Sequence, residues 1–209
     1  MSRMKKIIVT LVLFGVGLSP ATAPANPDVV ETGRLLAVLL DSGRVTIGAN
    51  QPLINDPTKG DKGFIPEVFE QQLIATYKQR TGIDLADLKN AQVPEMARPM
   101  LAQLVEESKK TVASYQATIN IPGIKYKGLI PATFGTEAAA RFQRWSGIYL
   151  KQTAPDPLLR NPKNKADDFE AAAFQKFADP SYPPCWRENF ERDCRGWEGG
   201  AGPLAALLR

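Results

Sequence analysis

Two cysteines, Cys185 and Cys194, stand in CWRENFERDC near the end of a 209-residue chain that contains no histidine. Their spacing matches no metal or haem motif, and in an oxidising compartment the two thiols can pair as a disulfide. Without histidine the sequence lacks the usual general base near neutral pH, the usual zinc ligand and the usual axial ligand of a haem. Ser108-Lys109-Lys110 has the residue types for serine–lysine chemistry, but the apolar spacing around it places SKK in a helix with an ordinary solvated-face pattern. Asp167, Asp168 and Glu170 are read as charges at a helix N-terminus, where the macrodipole favours them, rather than as an acid–base pair. No catalytic residue and no metal site is assigned, and the chain is not expected to be an enzyme.

One short stretch is written twice. KGFIPEVF begins at Lys62 and KGLIPATF at Lys127, 65 positions on. The simpler reading is a turn in which glycine permits the bend, Ile and Phe anchor it to the core, and lysine is solvated. The sharper one is a loop whose backbone and lysine hold an anionic ligand at a helix N-terminus. A duplicated turn needs duplicated chemistry only if there are two sites.

The same 65-residue shift aligns far more. Residues 35–55 fall on residues 100–120 without a gap, and Leu36, Thr46, Gln51, Ile54 and Asn55 meet Leu101, Thr111, Gln116, Ile119 and Asn120. Downstream, Phe69, Gly82 and Ile83 meet Phe134, Gly147 and Ile148. This is a duplicated structural unit, spanning about residues 35–85 and 100–150. In each copy a helix with apolar residues at helical spacing runs to an Asn, Pro and Gly break. A second helix then opens on Pro66 or Pro131 and stops at Gly82 or Gly147, where glycine can take the left-handed cap. The unit is helix, constrained turn, helix.

Residues 1–25 precede these units and have the layout of a secretory signal: Arg3, Lys5 and Lys6, an apolar run over 7–18, then small residues ending in Ala23-Pro24-Ala25. Cleavage after Ala25 gives a periplasmic or secreted protein, and an uncleaved leader would anchor it in the inner membrane. The formal charge of +4 comes from 26 basic and 22 acidic residues, three of the basic ones in the leader. The remainder is nearly neutral and carries no dense Lys/Arg block, which excludes nucleic acid as an expected partner. After the second unit, residues 148–154 (IYLKQTA) alternate like a strand. Pro155, Pro157 and Pro162 interrupt regular structure, and Asp167-Asp168 start a short helix through Phe177.

The ordered set GRLLAVLLDSGRVTIGANQPLINDPTKGDKGF, ATINIPGIKYKGLIPATF and LKQTAPDPLLRNPKNKADDFE resembles a family of exported c-type haem domains with a PAS-like core. Its members stand alone or precede histidine kinases and diguanylate cyclases as the sensing module. The resemblance runs from about Val30 to Pro183. It implies an α+β fold: helix-dominated, with the duplicated helix-turn-helix unit leading into a partial PAS-like antiparallel sheet over residues 26–184. In the family, haem is attached through a C-x-x-C-H motif after the RNP-x-N segment. That motif is missing here, so no cofactor is carried over. Residues 185–209 form an atypical tail, rich in Arg, Gly and Trp, which a truncated or frameshifted gene would produce and so would a divergent natural terminus.

The function this implies is a periplasmic sensory or redox-type domain without covalent haem. Its candidate ligand contacts lie in the polar turn: Lys151, Arg160, Asn161 and Asn164. The plain reading of that turn is an Asn side chain holding it, with Arg160 paired to a carboxylate such as Asp168. Signalling would require a separate membrane or periplasmic protein. The alternative is a structural or degenerate helical protein with no ligand.

Overall fold

The computed structural model describes residues 26–159 and 161–178. The leader, Arg160 and the tail with Cys185 and Cys194 lie outside the described residues. The element order is α1 (Pro27–Ala49), α2 (Gln51–Ile54), α3 (Pro66–Thr81), a 3-10 turn (Leu85–Asp87), α4 (Ala97–Ser114), α5 (Gln116–Ile119), α6 (Pro131–Ser146), two further 3-10 turns (Asp156–Leu158 and Pro162–Asn164) and α7 (Asp168–Phe177). Proline opens both α3 and α6 at the position where a missing N–H costs nothing, and each ends on a left-handed glycine, Gly82 and Gly147, both at φ 74°.

Helices α1, α3, α4 and α6 form a four-helix bundle in which α1 touches the other three. The leucine stripe of α1 (Leu35, Leu36, Leu39 and Leu40) and Leu101, Leu104 and Val105 of α4 fill its centre. Phe69 and its counterpart Phe134 meet across it with ring centroids 5.3 Å apart. Gly43 of α1 lets the Phe134 ring approach so closely that an added Cβ would stand 2.5 Å from it. The two units are thus packed as an exchange-symmetric pair, with α1 against both helices of the second unit and α4 against both helices of the first.

The turns are exchanged in the same way. Asn55 Oδ1 accepts from the Lys127 backbone N–H at 3.1 Å, and Asn120 Oδ1 accepts from the Lys62 N–H at 3.0 Å. Gln51 Nε2 donates to the Leu129 carbonyl at 2.8 Å, and Gln116 Nε2 donates to the Phe64 carbonyl at 3.0 Å. Each unit therefore satisfies the other's turn, the intramolecular form of an isologous dimer contact.

The lysines of the repeated motif are not solvated. Lys62 is 6% exposed and Lys127 2%, each folded under its own turn. Lys62 Nζ donates to the carbonyls of Lys59 and Gly60, and Lys127 Nζ to that of Ile121. Burial, and then the charge of Lys62, lower the pKa of Lys127. The glycine part of the simpler reading holds, since Gly63 and Gly128 have φ 63° and 79°. Phe64 and Leu129 anchor the turns, whereas Ile65 is exposed.

The expected antiparallel sheet is absent among the described residues, whose regular structure is helical apart from one isolated bridge between Ala154 and Lys165. The α+β, PAS-like expectation is corrected to a helical fold for the described residues. Residues 148–153 are extended but lie along α6, burying Leu150, Gln152 and Thr153, and pair with no second strand. Alternation of apolar and polar residues reports one buried face; it does not say whether a sheet or a helix covers it.

The pair Asn50–Gln72 of the first unit (2.6 Å) recurs as Tyr115–Glu137 in the second, where the phenol donates to Oε1 at 2.7 Å. Burial first, and then the carboxylate it faces, push the Tyr115 phenol up to about 12. Because the folded value is raised above the ordinary 10, its contribution is intact below pH 10 and is lost as pH rises through about 12. Tyr115→Phe should flatten that alkaline loss, measured as urea-unfolding free energy between about pH 9 and 12. Asn55→Ala and Asn120→Ala should each cost about 1–3 kcal/mol by leaving a lysine N–H unpaired, and to similar extents. A loss in one variant only, read from urea melts, would contradict the exchange.

Candidate ligand site

Helix α6 presents small residues, Gly135, Ala139 and Ala140, to the extended segment that returns along it. Because these side chains are short, the segment does not close fully on the helix. A cavity of about 130 Å³ remains between α6, residues 149–152 and the turn at Lys163 and Asn164. Its lining combines the buried apolar Ala139 and Leu150 with the polar Lys151, Gln152 and Asn164.

Helix α7 holds the segment through Lys151. Asp167 caps it, accepting from the Glu170 N–H at 2.9 Å while Glu170 Oε2 accepts from the Asp167 N–H at 2.8 Å, a capping box. The same Oε2 accepts from Lys151 Nζ at 2.6 Å, and that ammonium also donates to the Lys165 carbonyl at 2.6 Å. The ion pair is largely buried, with side-chain exposures of 13% and 5%. Asp167 and Glu170 thus serve the helix N-terminus, as their spacing predicts, and Glu170 also pins the extended segment.

Of the four residues singled out in the sequence, Lys151 and Asn164 line the cavity, Asn161 stands in the adjacent turn, and Arg160 lies outside the described residues. Asn161 Oδ1 accepts from the Lys163 N–H at 3.0 Å, so its side chain holds the turn. The Asn164 carbonyl accepts from Thr153 Oγ1 at 3.1 Å. Ser108 is 2% exposed rather than on a solvated face, and Lys109 and Lys110 are paired with Glu70 and Glu107 at 2.8 and 2.7 Å.

Three functional candidates escaped the sequence reading: Gln152, Gly135 and Arg44. Gln152 is 9% exposed, and its Nε2 meets no acceptor among the described residues; the same is true of Arg44 Nε. Both side chains press on Gly135, where an added Cβ would lie 2.8 Å from Gln152 Cδ and 2.9 Å from Arg44 Cδ. Arg44 Nη1 is held by Asp41 Oδ1 at 2.8 Å, while Asp41 Oδ2 accepts from Arg80 at 2.9 Å. The signal for Gly135 was present in the repeat, because the aligned residue of the first unit is Glu70.

Among the described residues no group of three or more His, Cys, Asp or Glu could hold a metal ion, and no helix is long and apolar enough to cross a membrane. A family model described as Tll0287-like (Tll0287) matches residues 86–199, more than half of the chain. That match takes in the second repeat unit and the segment C-terminal to it. Comparison with curated proteins and with solved structures gives no match.

Removing the Glu170 carboxylate should strand the buried Lys151 ammonium, a loss of about 3–5 kcal/mol for a broken buried pair. The damage should be local. In Glu170→Ala, hydrogen exchange is expected to speed up over residues 148–177, while α1, α3, α4 and α6 keep their protection.

Proposed function

The chain belongs to the Tll0287-like family, and from that membership we propose that it is an exported small-molecule sensing domain of this c-type haem-related family, working without covalent haem. One observation carries the reading. The 209 residues contain neither a histidine nor a Cys-x-x-Cys-His motif, so the thiol pair and axial ligand that haem c requires are not among them. These residues do not fit haem c, and no step is routed through it.

What the cavity suits is a small molecule. Its lining sets apolar Ala139 and Leu150 beside polar Lys151 and Asn164, the ordinary composition of a ligand site, an apolar body with a few polar groups that fix orientation. Leader-like residues 1–25 support export to the periplasm or beyond. The reading is non-enzymatic: with no histidine as base, and with Lys109, Lys110 and Lys151 tied to carboxylates, the groups that could drive chemistry are engaged in structure. A sensing role would pass through a separate membrane or periplasmic signalling protein.

A second reading, a purely structural helical protein, is favoured by the commitment of Lys151 Nζ to Glu170 and the Lys165 carbonyl. Two measurements separate these outcomes. In a host with working cytochrome c assembly, the denatured chain should show no Soret band and no haem stain; a band that stays with the denatured chain overturns the proposal. A thermal-shift screen of amino acids, organic acids, sugars and nucleosides should then yield at least one stabilising compound, because binding to the folded state alone raises its stability. No hit, in a chain that is helical by circular dichroism, favours the structural reading.

A further inference from the structure

The repeat supplies an internal control for the surface of the second turn. Residues 121–126 (IPGIKY) are all exposed, and Lys125 is the one charged residue among them. Ile121, Ile124 and Tyr126 are 42, 46 and 65% exposed. A shift of 65 positions takes these three to Asp56, Lys59 and Asp61 of the first turn. The two turns share one scaffold, each with its lysine N–H caught by the other unit's Asn and its lysine ammonium folded onto its own carbonyls. Charged side chains therefore serve this backbone as well as apolar ones do. Folding does not account for two isoleucines and a tyrosine on the second turn, and an apolar run exposed without a folding cause marks a contact.

We propose that the second turn inserts shallowly into the surface of an anionic lipid bilayer. Three apolar side chains fall far short of the roughly 20–30 residues a side of a stable protein interface, whereas fluid lipid needs no complementary surface. The isoleucines supply the apolar body, and tyrosine, a ring with a hydroxyl, suits the headgroup boundary. Lys125 is exposed and no acidic residue stands within 120–130, which gives the turn the charge that an anionic headgroup layer attracts. Its backbone already has partners within the protein. The Gly123 N–H donates to the Pro57 carbonyl at 2.8 Å, and the Ile121 carbonyl accepts from Lys127 Nζ. Lipid penalises unpartnered backbone groups, so these bonds lower the cost of leaving water. The turn lies at the end of the bundle where the 23-residue α1 finishes, ~35 Å from where that helix begins, so it meets lipid separately from residues 1–25.

The inference stands apart from the sensing reading. The probe is a bicelle of phosphatidylcholine and phosphatidylglycerol in equal parts, with a nitroxide on an acyl chain. In nitrogen-15 NMR spectra of the full chain, the amides of Ile121, Ile124 and Tyr126 should broaden more than those of Asp56, Lys59 and Asp61, and less when phosphatidylglycerol is left out. Ile121→Ser/Ile124→Ser keeps the charge and puts polar residues where the first turn carries Asp56 and Lys59, so the helical circular dichroism should persist. It should cut the broadening at Tyr126 at least about tenfold, because the apolar area that enters lipid is gone. Val29→Ser, which removes an exposed apolar side chain at the far end of α1, should leave that broadening unchanged. Equal broadening of the two turns, or unaltered broadening in the double variant, would overturn the lipid contact. Broadening confined to residues 1–25 and the Gly82 end would also overturn it, since the leader alone would then meet lipid. So would a chain that ignores bicelles and sediments as a dimer that Ile124→Ser breaks, which would put a second copy on this turn instead.

Discussion

Each of the two repeated turns of this protein is completed by side chains from the other half of the chain. A break built from Asn, Pro and Gly leaves some backbone groups without a partner of its own, and a buried amide without a partner is costly. Asn55 and Asn120 supply acceptors across the pair, and Gln51 and Gln116 supply donors. That exchange fixes where α3 and α6 begin, because each helix opens shortly after the lysine whose N–H is caught. The register of α6, and with it the place of Gly135 against α1, is set by the turn before it.

Symmetry makes the departures from it informative. Most paired positions carry equivalent contacts, so a position where the contact is lost asks for a separate cause. Asn50–Gln72 and Tyr115–Glu137 keep the geometry and change the chemistry from a neutral amide pair to a phenol on a carboxylate. Glu70 and Gly135 differ more deeply, since an ion pair on one side becomes, on the other, a glycine against which Gln152 and Arg44 pack. The extended segment after α6 reaches that side, where Gln152 presses on Gly135.

The helices were legible because their signals are local. Proline at both second-helix starts, glycine at both ends and apolar spacing between them are properties of short windows, and all were met. The sheet was not legible, because it was inferred from resemblance and from alternation over residues 148–154, and alternation does not reveal what covers the buried face. Lys62 and Lys127 were misread for a related reason. A lysine beside glycine in a turn is ordinarily solvated, and only the folded turn shows carbonyls gathered around its ammonium. Of the site, Lys151 and Asn164 were found through their place in a polar turn, whereas Arg44, Gly135 and Gln152 come together only through tertiary packing.

The exchanged turns also set a clock on synthesis. Their four cross-bonds join residues 52 to 78 positions apart. A chain emerging from the ribosome has made its first turn long before Asn120 and Leu129 exist to complete it. At roughly 5–20 residues per second, the interval between Lys62 and Lys127 lasts roughly 3–13 s. During it the first helical pair has no partner for its apolar stripe or its backbone, and loop closure over such distances is slow to reward. Until residues 120–129 have been made, the first half lacks the acceptor of Asn120 for its own turn and the carbonyl of Leu129 for its Gln51.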